Sequence, residues 1–99
     1  MAMNFEWDPA KRASNILKHG LYFEDAAAVF NSLCFTNEDL RQHYGEKRFI
    51  CTGKLGGRLV VIVYAIRGTS YRIISMRKAN EREKKKYQNR FETLRRHDR

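Results

Sequence analysis

The chain lacks what several large functional classes require. It has two cysteines, Cys34 and Cys51, far apart in sequence and with no second Cys or His at metal-ligand spacing. That argues against a zinc site and against a disulfide framework, and both read as small core residues. Long apolar runs are missing too: the longest, Leu59 to Ile66, falls far short of the roughly 20 residues a membrane helix needs. The N-terminus carries Glu6 and Asp8 rather than a signal peptide, so the expected setting is the cytoplasm, away from membranes. Repeats, low-complexity tracts and linkers are absent. With 99 residues there is room for one core, so residues 1–99 are expected to form a single domain.

Negative charge is also scarce. Lys and Arg number 20 against 11 Asp and Glu, a net charge of +9, and such a field attracts polyanions and speeds their encounter. The excess is uneven: residues 72–99 hold 11 basic and 4 acidic side chains, and residues 1–71 hold 9 and 7. Nucleic acid is therefore the leading partner class. Charge that merely keeps a small domain soluble is the plainer alternative.

Local pattern gives an α+β chain. Asp8 can cap a helix, Pro9 suits its first position and Gly20 its left-handed stop, which predicts a helix over 9–19 with Ala10, Ala13 and Leu17 on its buried stripe. Phe23, Ala26, Ala27 and Phe30 repeat the spacing in a second short helix. A brief strand at Leu33–Phe35 and a polar loop follow. From Arg48 onward β-branched and aromatic runs alternate with two-residue turns, predicting a three-stranded antiparallel meander over 48–55, 58–67 and 70–78. Tyr87, Phe91 and Leu94 then mark a C-terminal amphipathic helix over 80–96, whose Lys84–Lys86 run reads as a solvated face that helps to hold nucleic acid.

Tight turns fix the pairing, 55 with 58 and 67 with 70, and hence every row across the sheet. One face collects Phe49, Cys51, Leu55, Val60, Ile62, Tyr64, Ile66, Tyr71 and Ile73, against which the helices are expected to pack. The other carries the rows Arg48–Ala65–Arg72, Ile50–Val63–Ile74, Thr52–Val61–Met76 and Lys54–Leu59–Lys78. Neighbouring strands lie about 4.8 Å apart, so Arg48, Arg67 and Arg72 should converge. Their planar forks of donors suit a phosphate. Two other readings stand beside this one: Glu46 or another acid of the 37–47 loop neutralises the cluster, or a partner chain covers the face.

Phe5-Glu6-Trp7-Asp8, Lys18-His19-Gly20, Phe23-Glu24-Asp25-Ala26, Arg48-Phe49 and Arg72-Ile73-Ile74-Ser75-Met76-Arg77-Lys78-Ala79, followed by Glu83 and Tyr87, together resemble the BrnT family in order and spacing over nearly the whole chain. The resemblance implies a RelE-like fold, RNA cleavage, and neutralisation by a BrnA-type antitoxin in a heteromeric complex, with operator DNA contacted only through the antitoxin. It puts weight on Trp7, Lys18, His19, Arg48, Arg67, Arg72, Ser75 and Arg77. Met76 departs from the small residue common in relatives, and either narrows the open face or strengthens antitoxin packing.

Each candidate has an ordinary reading. Lys18 and His19 complement a helix C-terminus, although His19 could move a proton and Lys18 and Lys78 could steer RNA. Trp7 suits a core position as well as base stacking. Ser75 and Arg77 are expected to face the core, Arg77 lying near enough to the strand end to reach RNA. The expected mechanism is metal-free: Arg48, Arg67 and Arg72 hold the phosphate and His19 transfers a proton, because Glu24, Asp25, Glu38, Asp39 and Glu46 offer no ligand constellation for two metals. No cofactor is expected. The rivals are a non-catalytic RNA- or DNA-binding module and a structural subunit.

Overall fold

The computed structural model describes residues 3–97. Strand β1 (Asn4–Trp7) leads into helix α1 (Pro9–His19); a 3₁₀ turn (Phe23–Asp25) and helix α2 (Ala26–Phe30) follow. Then come β2 (Phe35–Glu38), β3 (Arg48–Leu55), β4 (Arg58–Arg67), β5 (Ser70–Lys78) and helix α3 (Glu81–His97). The five strands form one sheet in the order β1-β5-β4-β3-β2. The sheet is mixed, not purely antiparallel as expected, because β1 pairs parallel with β5. Two helices and three strands separate those partners in sequence, so no hairpin dictates their relative direction.

The caps of α1 act as their residue types dictate. Asp8 Oδ1 accepts from the Ala10 N–H at 2.8 Å, Pro9 opens the helix, and Gly20 takes the left-handed conformation at φ 67°. The expected stripe does not hold: Ala10, Ala13 and Leu17 face solvent, Leu17 being 89% exposed. The buried residue of α1 is Asn15. Its side chain accepts from the Met76 N–H at 3.0 Å and donates to the carbonyls of Met76 at 2.8 Å and Leu21 at 3.2 Å. The cause is the short reach of β1, whose pairing with β5 ends at Ile73; beyond it the edge of β5 still needs partners, and one amide supplies both a donor and an acceptor.

The core lies between α1, α2 and one sheet face. Phe23, Ala26, Val29, Cys51, Val60, Ile62, Ile73 and Met76 are fully buried or nearly so; Val29, not the exposed Ala27, completes the α2 side. Gly53 lets that helix approach, since a Cβ there would stand 2.9 Å from Cys34 Cβ and from Val29 Cγ1. Helix α3 does not join this layer. It packs across the opposite face, where the Tyr87 ring lies 5.2 Å from that of Phe35 and its hydroxyl donates to the Leu33 carbonyl at 2.8 Å. Of its expected stripe Tyr87 is buried, Phe91 half-buried and Leu94 exposed.

One irregularity resets the sheet faces. Tyr64 pairs with Ile73, but Val63 pairs with Ser75, so Ile74 is an extra residue in β5 and everything after it changes side. Met76, expected on the open face, is fully buried in the core, so its bulk neither narrows that face nor meets a partner there. Ser75 and Arg77, expected on the core face, join the rows Ile50–Val63–Ser75 and Thr52–Val61–Arg77 on the other side. Lys78, expected beside Lys54, pairs with Val60 on the core side.

Candidate nucleic-acid site

The row Arg48–Ala65–Arg72 forms, and β1 extends it by pairing Glu6 with Arg72. Arg67, two residues along β4, shares the face. The loop between β2 and β3 lies against this end of the sheet: the Asp39 N–H donates to the Arg48 carbonyl at 2.7 Å. Within the loop, Asp39 is 4% exposed. It accepts from Arg41 Nε at 2.8 Å, from Arg41 Nη2 at 2.7 Å and from the Tyr44 hydroxyl at 3.0 Å. Those bonds, Arg41's first among them, hold its carboxyl well below the usual carboxylate range. The Tyr44 ring fixed in this way stands 4.2 Å from the Arg48 guanidinium carbon.

The three arginines therefore converge, and two of them already have carboxylate partners. Arg72 Nη1 donates to Glu6 at 2.7 Å, and Arg67 donates to Glu46 through Nε at 3.3 Å and Nη2 at 3.0 Å. Both stay open to solvent, their side chains being 27% and 50% exposed. Arg48 differs. Among the described residues it makes no ion pair, and its buried Nε has no hydrogen-bond partner. Glu46 lies within the field of all three: the Arg67 hydrogen bonds chiefly, with Arg48 and Arg72 adding to them, lower its carboxyl pKa.

The remaining candidates sit elsewhere. Lys18 and His19, together with Lys11 and Ser14 of α1, line a shallow depression that ends at Ile74 and Ser75. The same two β5 residues border the depression beside Arg48 and Tyr44, so the bulge separates the α1 cations from the arginine row. Arg77 is committed to Glu83 by two bonds of 2.7 Å. Glu83 also accepts from the Asn80 N–H at 2.9 Å while its own N–H donates to Asn80 Oδ1 at 2.8 Å, a reciprocal cap on α3. Trp7 packs against the core, its ring 6.0 Å from that of Phe23, which is the ordinary reading of a tryptophan beside a helix start. Among the described residues, no three His, Cys, Asp or Glu side chains gather as a metal-ligand set.

Tyr44 and Asp39 were not singled out for this site by sequence reasoning, because the loop that carries them has no periodicity. Asn15 carried no signal either, standing among residues that pattern alone ranks as more buried.

The family described as ribonuclease toxin, BrnT, of type II toxin–antitoxin systems matches residues 7–83 of the 99. The chain belongs to the BrnT family. No curated protein is significantly similar to it. The match runs from the last residue of β1 to Glu83, the clamp of Arg77, and so contains the whole arginine row and its loop. Membership makes the chain a ribonuclease toxin, with RNA as the target class and an antitoxin protein as the partner. Among the described residues, no helix is long and apolar enough to cross a membrane.

Proposed function

We propose that this BrnT chain is a RelE-like, metal-independent endoribonuclease acting in the cytoplasm as a single domain, with Arg48, Arg67 and Arg72 as its phosphate site. One observation carries the reading: a half-buried guanidinium, Arg48, without an ionic partner and with an orphan Nε, at the β3 end of a row that also holds two solvent-open arginines on β4 and β5. A buried donor left unpaired costs about 1–3 kcal/mol, and a phosphate oxygen would satisfy it. Cleavage that uses the ribose 2′-hydroxyl needs the sugar–phosphate positioned and the extra charge of the pentacoordinate phosphorus stabilised. Arginines held by sheet geometry serve both needs. Lys18 and His19, beyond Ser75, would guide the strand, and His19 would relay a proton from solvent to the leaving oxygen. Arg77, spent on Glu83, acts through the fold. A BrnA-type antitoxin would neutralise the toxin in a heteromeric complex and alone touch operator DNA.

The test uses purified protein and end-labelled RNA in excess chelator. Discrete products are expected, and the rate should fall by about 10²–10³-fold in a folded Arg48→Ala variant, the range seen when one charge-stabilising donor is removed. Cleavage that stops in chelator ends the metal-independent reading. RNA that is retarded but intact marks a binding module.

A further inference from the structure

The arginine–carboxylate pairs of this protein differ in tightness. Arg77–Glu83 and Arg41–Asp39 are clamped by two bonds each of 2.7–2.8 Å, and Arg12–Glu24 closes at 2.8 Å. Arg67–Glu46 is the loosest, at 3.0 and 3.3 Å, and Glu46 remains 32% exposed. It is also the only carboxylate supplied to the arginine row by the β2–β3 loop, two residues ahead of the unpaired Arg48. Each Glu46 oxygen accepts one long bond from Arg67 and keeps a second lone pair, which a group that must receive a proton has to offer an incoming hydroxyl.

We infer that Glu46 is the general base of RNA cleavage, taking the proton from the 2′-hydroxyl of the ribose whose 3′-phosphate is held by Arg48. The inference rests on the arginine row being the phosphate site. In the step, the O2′–H bond breaks and its proton passes to a Glu46 oxygen. The freed O2′ electron pair forms a bond to phosphorus, and the P–O5′ bond breaks with its electron pair leaving on O5′, which takes a proton from solvent water. The products are a 2′,3′-cyclic phosphate and a 5′-hydroxyl end, and protonated Glu46 returns its proton to the hydroxide left in solvent. Arg67 orients the carboxylate by its two bonds. The groups around Glu46 are Arg48 on β3, Arg67 on β4, Arg72 on β5, Glu6 on β1, Glu38 at the end of β2, and Asp39, His43, Tyr44 and Lys47 of its own loop. Because the arginines keep it ionised, the rate should hold through neutral pH and fall only below the ordinary glutamate value of 4.5.

The experiment compares the parent, Glu46→Gln, Glu46→Ala and Arg48→Ala under single-turnover conditions. Affinity is read with the same RNA carrying 2′-deoxy sugars, and folding by thermal denaturation. Glu46→Gln should bind the deoxy strand at least as tightly as the parent, having lost a negative charge, yet cleave about 10²–10⁴-fold more slowly. Sodium formate should restore part of the rate to Glu46→Ala, a recovery that a purely structural brace would not show. A loss under 100-fold, a rate above the parent's, or no recovery in formate overturns the assignment; a faster variant would make Glu46 a competitor of the phosphate. If Arg48→Ala cleaves like the parent, the phosphate site itself is wrong, whatever Glu46 does.

Discussion

Asp39 is the side chain on which the site's loop turns. Buried and bonded to Arg41 and Tyr44, it fixes the ring that lies on Arg48. Asp39→Asn keeps the shape but weakens charge-assisted bonds, so a loss of about 1.5–3 kcal/mol is expected, checked by urea denaturation. The pH dependence follows from its lowered pKa. The folded carboxyl titrates below its unfolded value of 3.8, so its contribution is complete above that value and is lost as pH falls through the folded pKa. The melting temperature of the parent should therefore drop more steeply below about pH 4 than that of Asp39→Asn. A second residue-scale expectation concerns Cys51, whose thiol burial pushes up to about 12. It should resist alkylation in the native protein and react only on unfolding, whereas half-buried Cys34 reacts first. Much of this scale was legible: two tight turns suffice to align Arg48 with Arg72, and an acid from the 37–47 loop stood as the alternative to a free cluster, where Glu46 meets Arg67. Glu6 was not foreseen, because its partnership with Arg72 depends on a strand four residues long, too short to show a period.

Between elements, the decisive feature is the extra residue at Ile74. Alternation alone put Met76 outside and Ser75 and Arg77 inside; the register shift reverses all three. No residue type in that run announces a bulge, since Ile74 is as good a strand former as its neighbours, and only the fit of Met76 into the core requires it. Deleting Ile74 should remove the bulge yet leave Met76 opposite Ile62 in the core and Arg77 opposite Val61 outside, so the shortened chain is expected to keep cooperative unfolding when followed by circular dichroism. Asn15 poses a milder test. Asn15→Leu leaves the Met76 N–H and two carbonyls without their partner. At about 1–3 kcal/mol for each buried unpaired group, the urea midpoint should fall clearly at an unchanged slope.

At the scale of the molecule the charge is arranged in two tiers. In the proposed site the arginine row would meet a phosphate at one point, while α3 presents Lys84, Lys85 and Lys86 to solvent outside it. Replacing those three lysines with glutamine should leave the cleavage rate at saturating RNA unchanged. It should also flatten the plot of log affinity against log salt by up to about 2, from roughly 0.7 per phosphate contact on a single strand. The same order of elements governs when the toxin becomes active. Glu6 stands near the start of the chain, and its strand can pair only with residues 70–73. A nascent polypeptide cannot complete its guanidinium cluster until residues 70–73 have left the ribosome. The machine that makes this protein is thus not handed an assembled arginine row until the strand that closes it has emerged.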